Sequence, residues 1–419
     1  MIQKLKPKSE FSRNVLTLMT GTTIAQAIPI AISPILTRIY SPEDFGIFAL
    51  YMSIVSIFGV IVTGQYELAI MLPKNEKDAF NIFYLSILLA LVISCILLVI
   101  IIIFNQSITS LIDKPEISNW LYLIPISILF TGLFNSFNYL FNRNKEYKLL
   151  AKTKVTQSFV NSGSILTYGF FSLTSLGFIS SYVIAQFIAI LFFLKQFKLN
   201  NFSLFNKSKI LILAKKYKKF PKITMPHSIF SNLSQNLPIL ILSKYFTSDD
   251  VGFFSFGNKI VGMPLSLVSN AYYQVFFQSF REEKDKLQFY KQKFKQVNLV
   301  FLPLFVMLWF LLPDIFSFIF GEKWKIAGEY SQILLPLLYM KFLSNLFTTT
   351  TYIYYQKQEE NFIFEILITI IIFLSLVIGV HMEDIKIGLI VMMLSNSIMI
   401  LVKLYRSYQF VKEDNVKSI

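Results

Sequence analysis

Residues 159–194 read FVNSGSILTYGFFSLTSLGFISSYVIAQFIAILFFL, thirty-six consecutive residues without a charge. Such a run has no solvated face. At about 20 apolar residues per bilayer crossing it is long enough for two short spans, with a break expected near 172–177. Residues 85–104 are likewise uncharged. The composition has the same character throughout: of 419 residues, 54% are hydrophobic and 15% charged, against about 25% charged in soluble domains. The chain therefore reads as an all-α polytopic membrane protein, and a large soluble enzyme is excluded.

Working outward, apolar blocks predict twelve transmembrane helices at 14–37, 44–70, 80–104, 119–141, 152–172, 176–194, 223–243, 251–277, 297–320, 327–354, 361–380 and 385–410. Two of these, 251–277 and 327–354, are polar for membrane spans, as suits helices beside a water-filled cavity. The basic start (Lys4, Lys6, Lys8, Arg13) leads into an apolar stretch too long for a signal-peptide core, so it is expected to be the first permanent helix. With alternating sides and the N-terminus inside, thirty-one of the thirty-nine Lys and Arg fall in cytoplasmic segments and six opposite. Lys259 and Lys341 remain inside helices, while Lys152, Lys154, Lys403 and Arg406, near the ends of predicted helices, are counted with the cytoplasmic side. This bias fits the positive-inside rule and predicts both termini in the cytoplasm. The net charge of +15 is accounted for by these short loops, so no nucleic-acid role follows. The loop 195–222 reads as a linker between halves. Residues 278–295 read as a short interfacial helix, and Tyr352, Tyr354 and Tyr355 as an interfacial belt. Cys95 is a packing or lipid-facing residue, and His227 and His381 are far apart in sequence, so no metal or cofactor is expected.

An internal repeat sets the organisation. Residues 35–49 read ILTRIYSPEDFGIFA, and 241–255 read ILSKYFTSDDVGFFS, 206 positions on. Five of the fifteen positions are identical, Asp44/Asp250 and Gly46/Gly252 among them, and five more are close substitutions. Each copy opens with Ser or Thr and carries Asp three residues later, the signature of a helix start. Each falls at the expected outer turn between the first two helices of a half. A repeat on one side of the membrane means two pseudo-symmetric six-helix halves, 1–205 and 206–419, around a central cavity. Rocking of such halves gives alternating access.

The segment LTRIYSPEDFGIFALY at 36–51 resembles the first outer turn of the Wzx-type O-antigen and polysaccharide repeat-unit flippases. These belong to the multidrug/oligosaccharidyl-lipid/polysaccharide exporter superfamily. The polar, proline-kinked approach at 21–26 and 29–34, and the basic turn NRNKEY at 142–147, are similar to the same family. The resemblance implies a flippase of the bacterial cytoplasmic (inner) membrane. Its substrate would be an undecaprenyl-diphosphate-linked oligosaccharide, an O-antigen (lipopolysaccharide) or capsule repeat unit. It further implies a polysaccharide polymerase and a chain-length regulator as partners beside the lipid bilayer.

A diphosphate head carries charge through hydrocarbon at a cost of several kcal/mol or more, so a carrier must present cations inward. The candidate substrate-binding residues are Lys259, within FGNKIVG, and Lys341, within LYMKFLSN, together with the repeat-equivalent Arg38 and Lys244. The alternatives are snorkelling for the first two and ties to Glu43/Asp44 or Asp249/Asp250 for the second two. Gln26 and Asn232, with Gln235 and Asn236, are expected to line the cavity or to join helices. Glu67 and Glu365 lie within predicted spans and are candidates for ion coupling or for neutralising a lysine.

Two other functions fit the sequence less well. A multidrug exporter of the same superfamily would carry an acid deep in an early helix, and none lies between Arg13 and Glu43. A membrane polymerase or transferase needs catalytic groups on a loop, and the longest outer segment, 105–118, offers only Asp113 and Glu116. The chain is therefore not expected to be an enzyme.

Overall fold

The computed structural model describes residues 10–171, 174–197 and 205–417. Lys4, Lys6, Lys8, Lys198, the side chain of Arg13 and part of the break expected near 172–177 lie outside the described residues. Among the described residues there is no strand, only helices and turns. They form two compact units, 1–244 and 245–419.

The first unit contains α1 (Glu10–Ile39), α2 (Pro42–Gly59), the one-turn α3 (Tyr66–Ala69), α4 (Glu76–Ile112), the one-turn α5 (Ser118–Leu121), α6 (Ile124–Arg143), α7 (Tyr147–Phe170), α8 (Thr174–Gln196), α9 (Lys207–Lys216) and α10 (Met225–Tyr245). Its main packing pairs are α1 with α7, α7 with α8, α6 with α4 and α8, and α2 with α6 and α8. The second unit contains α11 (Ser248–Glu282), α12 (Lys286–Phe320), α13 (Lys325–Tyr354), α14 (Gln358–His381) and α15 (Ile385–Lys417). Here α13 is central, packed on α11, α12 and α15, while α14 packs on α15. By packing, α9 and α10 go with the first unit, whereas the sequence repeat starts the second half at 206.

Each of the twelve predicted spans has a helix among the described residues, the second over only part of its expected length. Among the described residues nine are long and apolar enough to cross a membrane: α1, α4, α6, α8 and α11 to α15. The surface is apolar and the interior partly polar, as a lipid solvent requires. Ile103, Phe170 and Phe318 are 65, 79 and 88% exposed, whereas Thr63 and Asn81 are fully buried.

The repeat is visible in the caps. Ser41 accepts from the Asp44 backbone N–H at 3.2 Å and the Asp44 carboxylate accepts from the Ser41 N–H at 3.0 Å, starting α2. Thr247 and Asp250 make the same reciprocal pair, at 3.2 and 3.3 Å, at the start of α11. Each box satisfies two N–H groups that the helix itself leaves unmatched.

Four expectations are corrected. The span expected at 44–70 is not continuous: α2 ends at Gly59, and Gly64 and Gln65 both adopt φ of 60° before α3. The Gln65 amide donates to the Val60 carbonyl at 3.0 Å, and Arg143 donates to Ile70 and Pro73 carbonyls at 3.0 and 2.5 Å, so the freed backbone acceptors are met. The interfacial helix expected at 278–295 is instead the ends of α11 and α12 joined by residues 283–285. At 35 residues each these helices are roughly 50 Å long and overrun a 30 Å hydrocarbon core. The expected linker contains α9, docked on α4 by Lys209 to Asp78 at 2.7 Å and by the Asn206 N–H to Asn81 at 2.8 Å. Tyr352 is no belt residue. It is 2% exposed and packs edge-on against Phe410.

Helix approach in lipid depends on small residues, because no hydrophobic drive pushes the helices together. A Cβ on Gly379 of α14 would lie 2.6 Å from the Gly388 Cα and 2.9 Å from its N. Gly379→Leu is expected to force α14 from α15 at a cost of about 3 kcal/mol, read as a lowered thermal midpoint of the purified protein. An unchanged midpoint would show that the close approach contributes nothing.

Candidate functional site

Four polar residues of α7, Lys154, Gln157, Ser158 and Asn161, recur at i, i+3, i+4 and i+7, which places them on one face of the helix. That face meets Thr22, Ala25 and Gln26 of α1, and with Tyr182 and Ala185 of α8 and Phe134 of α6 they enclose a cleft of about 360 Å³. The Ser158 hydroxyl donates to the Ala25 carbonyl at 2.6 Å, and the Lys154 ammonium reaches Thr22 Oγ1 at 3.5 Å. Tyr182 is held by Gln186, whose amide donates to its hydroxyl at 3.0 Å. Two carbonyl oxygens of the cleft, Gln26 Oε1 and Asn161 Oδ1, are buried without a hydrogen-bond partner in the protein. Buried acceptors left unmet cost about 1–3 kcal/mol each, so the cleft suits a ligand or water that donates to them. An anion suits Lys154.

Lys154 is the residue the charge count passes over. It lies seven residues into α7, roughly 10 Å from the helix start, so it belongs to the helix and not to the preceding loop. Gln26, a predicted site residue, lines the same cleft. Asn232 does not. Its Oδ1 accepts from Ser56 at 3.2 Å and its amide donates to the Ser228 carbonyl at 2.9 Å, while Asn236 reaches the same Ser56 at 3.5 Å. These two residues join α10 to α2.

Arg38 is exposed at the end of α1 and donates to the Pro34 carbonyl of its own helix at 3.1 Å. The tie to Glu43 or Asp44 expected for it is not among its bonds, and the Asp44 carboxylate holds the cap. Lys244 is exposed at the end of α10. Asp250, expected beside it, accepts from Thr247 and from the Tyr330 hydroxyl at 2.9 Å.

In the second unit, Lys259 and Lys341 are both exposed, on α11 and α13. These helices run parallel, as the contacts of Asp250 with Tyr330 and of Ser269 with Asn345 show. In that register Lys341 lies about two turns, roughly 10 Å, beyond Lys259. Among the described residues no carboxylate pairs with Lys154, Lys259 or Lys341. An exposed lysine deep in a spanning helix is stable only where its head meets water or an anion.

The two acids differ. Glu67 is 4% exposed at the helix break, and its carboxylate accepts from the Thr63 hydroxyl. Glu365 accepts from the Asn361 amide at 3.2 Å and lies in the electrostatic reach of Lys403, a second intrahelical lysine that the loop count absorbed. The Lys403 ammonium also sits 5.7 Å from the Tyr352 ring.

Comparison with known proteins agrees with this architecture. The model of a family described as polysaccharide biosynthesis protein matches residues 35–328. The succinoglycan biosynthesis transport protein ExoT of Rhizobium meliloti (strain 1021) is 24% identical over 328 residues, 75% of this chain. The chain spans 64% of that relative's length. Among solved structures, a multidrug resistance MATE family transporter of the MOP superfamily in its inward-facing conformation superposes with a TM-score of 0.71 at 15% identity, covering 96% of each chain. The lipid II flippase MurJ, in an inward closed conformation, gives 0.70 at 15% identity over 97% of this chain and 90% of that one. At such identities the structures show the fold. The resemblance drawn from residues 36–51 is borne out for the polysaccharide family and for the fold. With 35–328 matched, this multi-pass membrane protein belongs to the polysaccharide biosynthesis protein family.

Proposed function

We propose that the chain is a flippase, not an enzyme, that moves an undecaprenyl-diphosphate-linked oligosaccharide across the bacterial inner membrane by alternating access. The observation that carries this reading is the set of three lysines in membrane helices, Lys154, Lys259 and Lys341, that lack a carboxylate partner among the described residues. Intramembrane cations without acids call for an anionic cargo, and a diphosphate supplies it. The cleft between α1 and α7 adds acceptors for sugar hydroxyls in Gln26 and Asn161. The family and the transport role in the name of the Rhizobium relative support a saccharide cargo. An O-antigen or capsule unit is the proposed class, with a polymerase and a chain-length regulator as the proposed partners.

A multidrug exporter of organic cations is the competing reading. It requires acids where this chain has lysines. The deciding experiment reconstitutes the protein in vesicles with a fluorescent polyprenyl-diphosphate oligosaccharide on one leaflet. Exposure of the label to an impermeant quencher should rise only with the protein present. Efflux of a cationic dye with no movement of the labelled lipid would favour the exporter.

Glu67 is the residue we assign to ion coupling, since no cation pairs with it among the described residues. Glu365 suits neutralisation of Lys403. Glu67→Gln is expected to remove the dependence of flipping on a proton gradient, and Glu365→Gln to keep it. A Glu67→Gln protein that still responds fully to the gradient would end that assignment.

A further inference from the structure

Along α12, Lys291, Lys293 and Lys295 are the last cations before residues 296–313, which carry no charge; Lys293 turns to Gln296, at 3.2 Å. Along α15 the uncharged run 387–402 ends at Lys403. The hydroxyls of Tyr290 and Ser407 lie 3.3 Å apart, so the antiparallel helices are in register and both change from apolar to basic at the same level. A groove of about 460 Å³ straddles that level. Its floor is Phe294, Leu401 and Leu404, and Lys291, Lys295 and Tyr405 stand at its basic end. Leu299 and Val300 on α12 and Ile398 and Val402 on α15 continue the apolar surface away from the lysines, each about half exposed or more.

The charges at this end are divided. Lys403 is buried within the electrostatic reach of Glu365, and Arg406 donates to Glu360 at 2.9 Å. Lys291 lies 5.8 Å from the Tyr408 ring, and neither it nor Lys295 pairs with a carboxylate among the described residues. The groove thus offers two ammonium groups without a carboxylate partner, one helical turn apart, above an apolar trough. A molecule that fits has a negative head and a long apolar chain leaving along the membrane normal.

We propose that this groove holds an anionic phospholipid, its phosphate between Lys291 and Lys295 and one acyl chain against Phe294, Leu401 and Leu404. The site is separate from the lysines assigned to cargo, so it stands whatever the protein transports. Bound there, the lipid ties the basic ends of α12 and α15 together.

The test is native mass spectrometry of the purified full chain titrated with phosphatidylglycerol or with phosphatidylcholine of the same chains. The first phosphatidylglycerol should bind tighter than the first phosphatidylcholine. Lys291→Gln/Lys295→Gln should weaken it by about thirtyfold, from about fivefold per lysine at an anionic surface, and leave phosphatidylcholine unmoved. Leu401→Glu, which puts a like charge in the trough, should also expel it. Lys215→Gln/Lys216→Gln, on α9, should change nothing. Thermal midpoints confirm that each variant is folded. Equal binding of the two lipids, no effect of the α12 pair, or an equal effect of the α9 pair would each overturn the proposal.

Discussion

Replacement of Lys154 by Gln is expected to lower export of the proposed glycan cargo by about ten- to a hundredfold while the protein still inserts and folds. Its ammonium is half-buried in the α1–α7 cleft with Thr22 Oγ1, at 3.5 Å, as its neighbour. Gln, one atom shorter, keeps the polarity but removes the charge. The loss expected is that of a hydrogen bond to an ionised group, about 1.5–3 kcal/mol, which converts to the quoted range. Lys154→Arg keeps the charge and should recover part of the activity. The measurement is surface polysaccharide in a deletion strain carrying each variant, normalised to the amount of protein in the membrane. Wild-type export by the Gln variant would remove Lys154 from the site.

The second large effect is at Lys259 and Lys341. Each alanine variant should cost about tenfold. The pair, roughly 10 Å apart, should cost about a hundredfold, since sites at that separation act nearly independently. The two residues are exposed, so truncation leaves no cavity, and thermal stability should be unchanged or slightly improved once an uncompensated charge is gone. A loss of stability with intact export would mean that the lysines act structurally, by snorkelling or by unseen pairing.

Much of the fold was legible because lipid imposes a simple rule on sequence. Uncharged runs such as 159–194 mark helices, and the Ser41/Asp44 and Thr247/Asp250 pairs mark the same turn in both copies of the repeat, down to matching caps. Three features were hidden, each for a physical reason. The break before Glu67 follows an apolar stretch, and only its left-handed pair Gly64–Gln65 and the reach of Arg143 reveal it. The ends of α11 and α12 run past the bilayer because a helix does not need hydrocarbon to persist once it has begun. At the cleft, Gln26 was named from the sequence, but Lys154, although inside the helix expected at 152–172, was counted with the preceding loop, because a count of charges ignores helical position. The spacing of 154, 157, 158 and 161 would have found it. Asn232 could not be separated from the lining residues by type, since the same amide lines a cleft or joins α10 to α2 according to the face it occupies.

The most direct test of the central claim is deletion of the gene followed by mass spectrometry of the cells' undecaprenyl-linked saccharides. The account predicts that a complete lipid-linked repeat unit accumulates on the inner leaflet and that surface polysaccharide is lost. Unchanged lipid-linked saccharides, or repeat units that still reach the surface and stay unpolymerised, would contradict it.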